Sequence, residues 1–149
     1  MFPLVFLTVI ALDQLTKHLV RGGMALGESI PAEGFLRLVH IQNTGAAFGI
    51  LDDARPWLIA VSSIALVIII WLAISRRIGF LDNIWGRLTL GFIAGGTLGN
   101  LIDRAYYGYV TDFLKAGIWP AFNIADASMV IGMTILVFLY LRSEYPRSQ

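Results

Sequence analysis

Residues Trp57–Ser75 read W-L-I-A-V-S-S-I-A-L-V-I-I-I-W-L-A-I-S, without one charged side chain. A helix of that length matches the hydrocarbon core of a bilayer, which takes about 20 apolar residues to cross. Outward from it, residues 2–20, 84–102 and 122–141 have similar length and apolar character. The chain of 149 residues is 57% hydrophobic and 14% charged, with a mean hydropathy of +0.74. Soluble domains carry about a quarter charged residues. The expected fold class is therefore an all-α polytopic membrane protein, four transmembrane helices in one membrane-embedded domain covering residues 1–149. The first segment lacks a basic leader and a small-residue cleavage site, and Asp13 and Lys17 interrupt it. It reads as a permanent helix rather than a removable signal.

Composition also excludes. With no cysteine, disulfides, thiolate metal sites and a cysteine nucleophile are ruled out. A net charge of +1 implies no polyanion partner and no nucleic acid. His18 and His40 are too few and too far apart for a metal site. No H-E-x-x-H, G-x-S-x-G or P-loop occurs. No metal and no cofactor are expected.

Basic residues set an orientation. Arg76, Arg77 and Arg87 flank the short link between the second and third segments, and Arg142 and Arg147 follow the fourth. On the other side Arg21, Arg37, Arg55 and Lys115 are spread through long connections and offset by Glu28, Glu33, Asp52 and Asp53. The positive-inside rule puts both termini in the cytoplasm. Trp57, Trp71, Trp85 and Trp119 fall near segment ends, as an interfacial aromatic belt requires.

The outer connections, residues 21–56 and 105–121, carry β signals. F-L-R-L-V-H-I-Q (Phe35–Gln42) reads as a strand bounded by Gly34 and N-T-G, and Y-G-Y-V-T-D-F-L-K (Tyr107–Lys115) as extended. A small extracytoplasmic sheet resting on the membrane is expected, with Asp112 at its edge. In D-D-A-R-P, Asp52 or Asp53 reads as the cap of the second helix, with Pro56 near its first turn.

Polar residues inside such segments call for a functional explanation, because each costs a few kcal/mol to insert. Asp126 opens the apolar run of the fourth segment, and Asp112 lies fourteen positions earlier. Two carboxylates brought together cannot both ionise easily; one keeps a proton as acid while the other acts as base. This is the acid–base chemistry of an aspartic peptidase. Asp103 is the other acid that spacing allows as partner of Asp126. Asp13 and Lys17 share a helix face at i,i+4, and the reading favoured is a self-neutralised pair bonding neighbouring elements. Gly91, Gly95 and Gly99 recur every four residues, a helix-packing pattern. Asn100, Asp103 and Arg104 follow on one face, either holding a ligand or closing a structural network. Asn43 reads equally as a turn residue. A small proton or ion transporter is the rival function, since intramembrane acids mark such paths too, and a structural subunit built on glycine packing is the third reading. The absence of an internal repeat weighs against the transporter.

Five motifs in order carry a resemblance: D-Q-L-T-K (Asp13–Lys17), N-T-G-A-A-F (Asn43–Phe48), G-G-T-L-G-N-L-I-D-R (Gly95–Arg104), V-T-D-F (Val110–Phe113) and F-N-I-A-D (Phe122–Asp126). The chain thereby resembles lipoprotein signal peptidase, signal peptidase II, over nearly its whole length. The resemblance implies an aspartic endopeptidase of the bacterial inner membrane, active at the outer face. Such an enzyme removes the signal peptide of a prolipoprotein just before a diacylglyceryl-modified cysteine. By the family pattern Asp112 and Asp126 are catalytic. Asn43, Gly45, Asn100, Asp103, Arg104 and Asn123 line the substrate pocket, and Asp13 and Lys17 support it. The outer sheet becomes the family's cradle, the surrounding phospholipid a partner, and the cyclic peptide globomycin an expected inhibitor.

Overall fold

The computed structural model describes residues 1–45 and 54–144. Four helices, α1 (Phe2–Gly23), α2 (Ala54–Ser75), α3 (Ile84–Tyr106) and α4 (Ile124–Glu144), carry a three-stranded antiparallel sheet at one end. Three of the helices, α1, α2 and α4, are long and apolar enough to cross a membrane. The less apolar one, α3, packs against each of the others. A helix enclosed by protein can be small and polar where a lipid-facing one cannot.

The glycines of α3 set that packing. A Cβ on Gly91 would stand 2.9 Å from the Cβ of Val5, one on Gly95 2.8 Å from that of Val9, and one on Gly99 2.6 Å from Oδ2 of Asp13. Both series advance in steps of four in the same direction, so α1 and α3 lie parallel, backbone against side chain. Gly96 meets the backbone of Ala125, and Gly132 on α4 meets the Thr89 carbonyl and Ile93, so α4 runs antiparallel to α3. Close approach replaces bulk here. At the other end of α3, Asn83 caps the helix by accepting from the Gly86 amide at 3.0 Å.

The sheet, in the order β1 (Ser29–Ile30), β2 (Leu36–Asn43), β3 (Val110–Ala116), departs from the sequence reading at its margins. The first outer connection is shorter than expected, since α1 continues to Gly23, and the second is shifted along the chain, since α3 continues to Tyr106. β1, too short to have a pattern of its own, forms by pairing Ser29 with Val39. The fourth helix starts at Ile124 rather than Phe122, because Phe122 is drawn into the sheet. Its N–H donates to the Leu114 carbonyl at 2.9 Å, and its carbonyl accepts from Leu114 at 2.8 Å. The expected caps Asp52 and Asp53 lie outside the described residues; Pro56 falls in the first turn of α2.

The register of β2 on β3 shifts between Leu38 and Ile41, so two residues, Val39 and His40, oppose one. Both are buried, which breaks the period-two alternation. The bulge has a consequence for the site. Because a one-residue slip exchanges the faces of a strand, it turns Ile41 and Asn43 onto the face of β3 that bears Asp112 and Leu114. Below the opposite face, Phe113 packs with Val20 and Met24 at the end of α1.

Candidate active site

Four carboxylates meet where α1, α3, β3 and the start of α4 converge, and their surroundings divide them into pairs. Asp13 and Lys17 form a buried ion pair of 2.8 Å. The same ammonium lies 3.3 Å from Asp103 Oδ2 and donates to Asn100 Oδ1 at 2.9 Å. Asp13 Oδ1 accepts from the Ala125 amide at 2.9 Å, fastening α1 to α4. Asp103 also faces Arg21 at 3.4 Å and accepts from the Thr111 amide at 2.9 Å, fastening α3 to β3. Asp13, Lys17 and Asp103 have no exposed surface. The resemblance places Asp103 in the pocket wall; here its carboxylate is enclosed by two cations and a backbone amide.

Asp112 and Asp126 are held by amides. Asp112 Oδ1 accepts from Asn123 Nδ2 at 2.7 Å and Oδ2 from Asn43 Nδ2 at 2.9 Å. Asp126 Oδ1 accepts from Asn100 Nδ2 at 2.7 Å and Oδ2 from the Asn123 N–H at 3.2 Å. Asn123 Oδ1 in turn accepts from the Asp126 N–H at 2.9 Å. This reciprocal exchange across N-I-A-D is a capping box at the start of α4, and it fixes Asp126 on the backbone. Asn123 therefore contacts both acids. It sits beside Asp112 because the Phe122–Leu114 bridge folds the chain back on β3.

Each of these asparagines has its carbonyl oxygen engaged, so its NH2 group faces a carboxylate. Lys17 engages that of Asn100, the Asp126 amide that of Asn123, and the Gly45 amide that of Asn43, at 2.8 Å. Asn43 is thus a turn residue and a ligand of Asp112 at once. Gly45 takes φ +80, and a Cβ there would run into Leu58 of α2. Burial pushes the Asp112 carboxyl up to about 6, and the nearby charge of Asp126 adds to it. The Asn43 and Asn123 hydrogen bonds oppose the rise.

Arg104 lies at the edge of this group, half-buried, its Nε without a partner among the described residues. Its carbonyl accepts from Arg55 Nε at 3.0 Å, so an arginine of α2 closes the end of α3. Sequence reasoning missed Arg55 together with Gln14, Arg21 and Thr111. Gln14 donates to Asp13, to the Gly99 carbonyl and to Asp103. Arg21 donates to Thr111 Oγ1 at 2.9 Å and lies over the Tyr107 ring. A signal for Arg21 was present, since Asp13, Lys17 and Arg21 follow at four-residue steps. The capping pattern N-x-x-D was equally readable.

Known proteins resemble this chain along its length. The profile of the signal peptidase (SPase) II family matches residues 5–142. The lipoprotein signal peptidase of Dehalococcoides mccartyi is 44% identical over 134 residues, 89% of this chain and 84% of the relative. That of Moorella thermoacetica is 44% identical over 141 residues, 94% and 92% of the two chains. A solved structure described as a bacterial membrane enzyme superposes with a TM-score of 0.83 at 29% identity, covering 99% of this chain and 93% of its own. Sequence along nearly the whole chain and shape across all of it lead to one placement: this protein belongs to the signal peptidase II family.

Proposed function

We propose that Asp112 and Asp126 are the catalytic pair with which this membrane aspartic peptidase removes signal peptides from prolipoproteins. The observation that carries this reading is the contrast in holding groups: these two acids, Asp112 buried and Asp126 half-buried, are bridged by one asparagine and bound by amides, with no salt bridge among the described residues. Amides fix a carboxylate in place and leave its proton exchangeable. One aspartate, ionised, takes a proton from water as the water attacks the scissile carbonyl; the other, protonated, donates to the carbonyl oxygen and then to the leaving amine. The raised affinity of Asp112 for its proton suits a pair that shares one.

Cleavage falls just before a diacylglyceryl-modified cysteine. The lipid anchor holds the peptide at the depth of the acids and makes the reaction nearly intramolecular. Asn43 and Gly45 border the pocket on the sheet side, Asn100 and Asn123 on the helix side, and Arg104 holds a peptide carbonyl or a lipid phosphate through its guanidinium. Asp103, with Asp13 and Lys17, acts through position. In this reading α3 is the fourth span of a single membrane-embedded domain in the bacterial inner membrane, surrounded by phospholipid. Both termini are cytoplasmic, the acids face outward, and globomycin occupies the same pocket. The transporter alternative has nothing in its favour: the family profile and the named relatives are all peptidases.

The test is cleavage of a diacylglyceryl-prolipoprotein by purified protein in detergent. Asp126→Asn and Asp112→Asn are each expected to abolish processing while the thermal transition of the protein is retained. Near-native processing by either variant would sink the assignment.

A further inference from the structure

The sheet has two unlike faces, and the one that bears Asp112 and Asn43 is otherwise apolar. Register puts Ile41 directly opposite Asp112, Leu38 opposite Leu114, Leu36 opposite Ala116, and Ile30 opposite Leu38. Phe122 pairs with Leu114 on the far side of β3, extending the same face. Leu36 is 70% exposed and Ile30 53%, although a soluble sheet would bury such side chains. A cavity of about 400 Å³ opens along Leu36, Leu38, Leu114, Ala116 and Phe122, with Arg37 and Lys115 at its border. On the other face Arg37 stands directly opposite Lys115, and neither forms an ion pair among the described residues. Like charges facing across a ladder cost stability; both are half-buried and donate to backbone carbonyls, Arg37 to Ala32 and Lys115 to Trp119. The sheet is thus aliphatic on the side of the acid, while its back buries Thr111 and Phe113 toward the end of α1 and carries the two cations only at its far end.

We infer that the aliphatic face is a binding slot for the acyl chains of the substrate's diacylglyceryl group. This rests on the proposed function, in which the lipid hangs from the residue that supplies the leaving amine. Its chains therefore begin within one side-chain length of Asp112. From there Ile41, Leu38 with Leu114, and Leu36 form a continuous track. The distance along β3 from Asp112 to Ala116 is about 14 Å at roughly 3.4 Å per residue, enough for a good part of an acyl chain. Continuity with the acids favours the substrate's own chains over bulk lipid, which has no reason to start at Asp112. The bulge between Leu38 and Ile41 makes the track possible, since without it Ile41 would point to the opposite face.

The experiment measures KM and kcat on diacylglyceryl-peptides with short and long acyl chains, in one detergent. In the native chain KM is expected to fall as the chains lengthen. Leu36→Gln and Leu38→Gln should raise KM for the long-chain substrate by roughly five- to tenfold, with kcat and the short-chain KM unchanged. Leu36 is exposed, so its substitution leaves the fold intact, and Leu38→Met should behave as native. Ile118→Gln, 99% exposed but outside the track, controls for general contact with detergent or lipid. Unaltered chain-length dependence in both glutamine variants, or an equal rise in Ile118→Gln, would overturn the slot. Failure of the catalytic assignment shows separately, as retained cleavage in Asp112→Asn.

Discussion

Two clusters of acids share one end of the bundle, three of the four acids buried and Asp126 half-buried, yet they are held by different means. Around Asp13 and Asp103 stand an ammonium and a guanidinium. Around Asp112 and Asp126 stand three asparagine side chains and one backbone N–H. A cation beside a buried carboxylate offsets the cost of burying its charge. A neutral amide fixes the same geometry with a weaker hold on the charge. The first cluster joins α1, α3, β3 and α4 into one framework; the second is carried on that framework. Asn100 belongs to both, accepting from Lys17 and donating to Asp126.

The largest effect should come from Asp→Asn at each of the four acids in turn. At Asp112 and Asp126 cleavage is expected to fall by at least about 10²–10⁴-fold, with folding retained. At Asp13 and Asp103 the loss should be of folded protein, because the substitution leaves buried cations facing an amide. Single-turnover cleavage alongside thermal unfolding separates the two patterns, and a stable but inactive Asp103→Asn protein would erase the division. Next in size, Lys17→Met leaves Asp13 without its cation and should cost about 3–5 kcal/mol. Asn100 then loses the bond that orients it, so whatever protein survives should show a lowered kcat with little change in KM.

The pH dependence of stability sharpens the comparison further. Asp112 binds its proton more tightly folded than unfolded, about 6 against 3.8. Its contribution to stability is therefore complete below the unfolded value and is lost as pH rises through about 6. Asp112→Asn removes that loss. Above about pH 6 this variant should be more stable than the native chain by on the order of 2 kcal/mol, and the two should converge toward pH 4. Thermal melts across that range decide it; parallel curves would mean that Asp112 is ionised without cost. The smallest effect is expected at Arg21, one of two cations on Asp103. Arg21→Gln keeps a donor toward Thr111 and should cost about 1–2 kcal/mol, measured as a lower melting midpoint with cleavage per folded molecule unchanged.

Much of the fold was readable because lipid imposes strict local rules. An uncharged stretch such as Trp57–Ser75 has few alternatives to a spanning helix. The glycine steps of α3 announced close packing, which the contacts at Val5 and Val9 bear out. The strands at Leu36–Asn43 and Val110–Ala116 were visible as β-rich runs between turn residues, whereas β1 had no signal because two residues carry no period. The Asp13–Lys17 pair was legible from i,i+4 spacing, as was its role of joining neighbouring elements.

Other features depend on contacts that no local pattern encodes. The choice between Asp103 and Asp112 beside Asp126 was open in the sequence, since both lie near α4 in sequence and both follow polar motifs. In the folded chain Lys17 and Arg21 enclose Asp103, while Asn123 spans Asp112 and Asp126. That span requires the Phe122–Leu114 bridge, and the reach of Asn43 requires the bulge in β2. The sequence by itself determined the apolar segments, the residue types of the site and their order along the chain, because periodicity and solubility act over a few neighbouring residues. Whether Asp103 or Asp112 meets a cation was decided by the tertiary structure, because Arg21 lies 82 residues from Asp103, Asn43 69 from Asp112 and Asn100 26 from Asp126, and only packing brings such partners within hydrogen-bond distance.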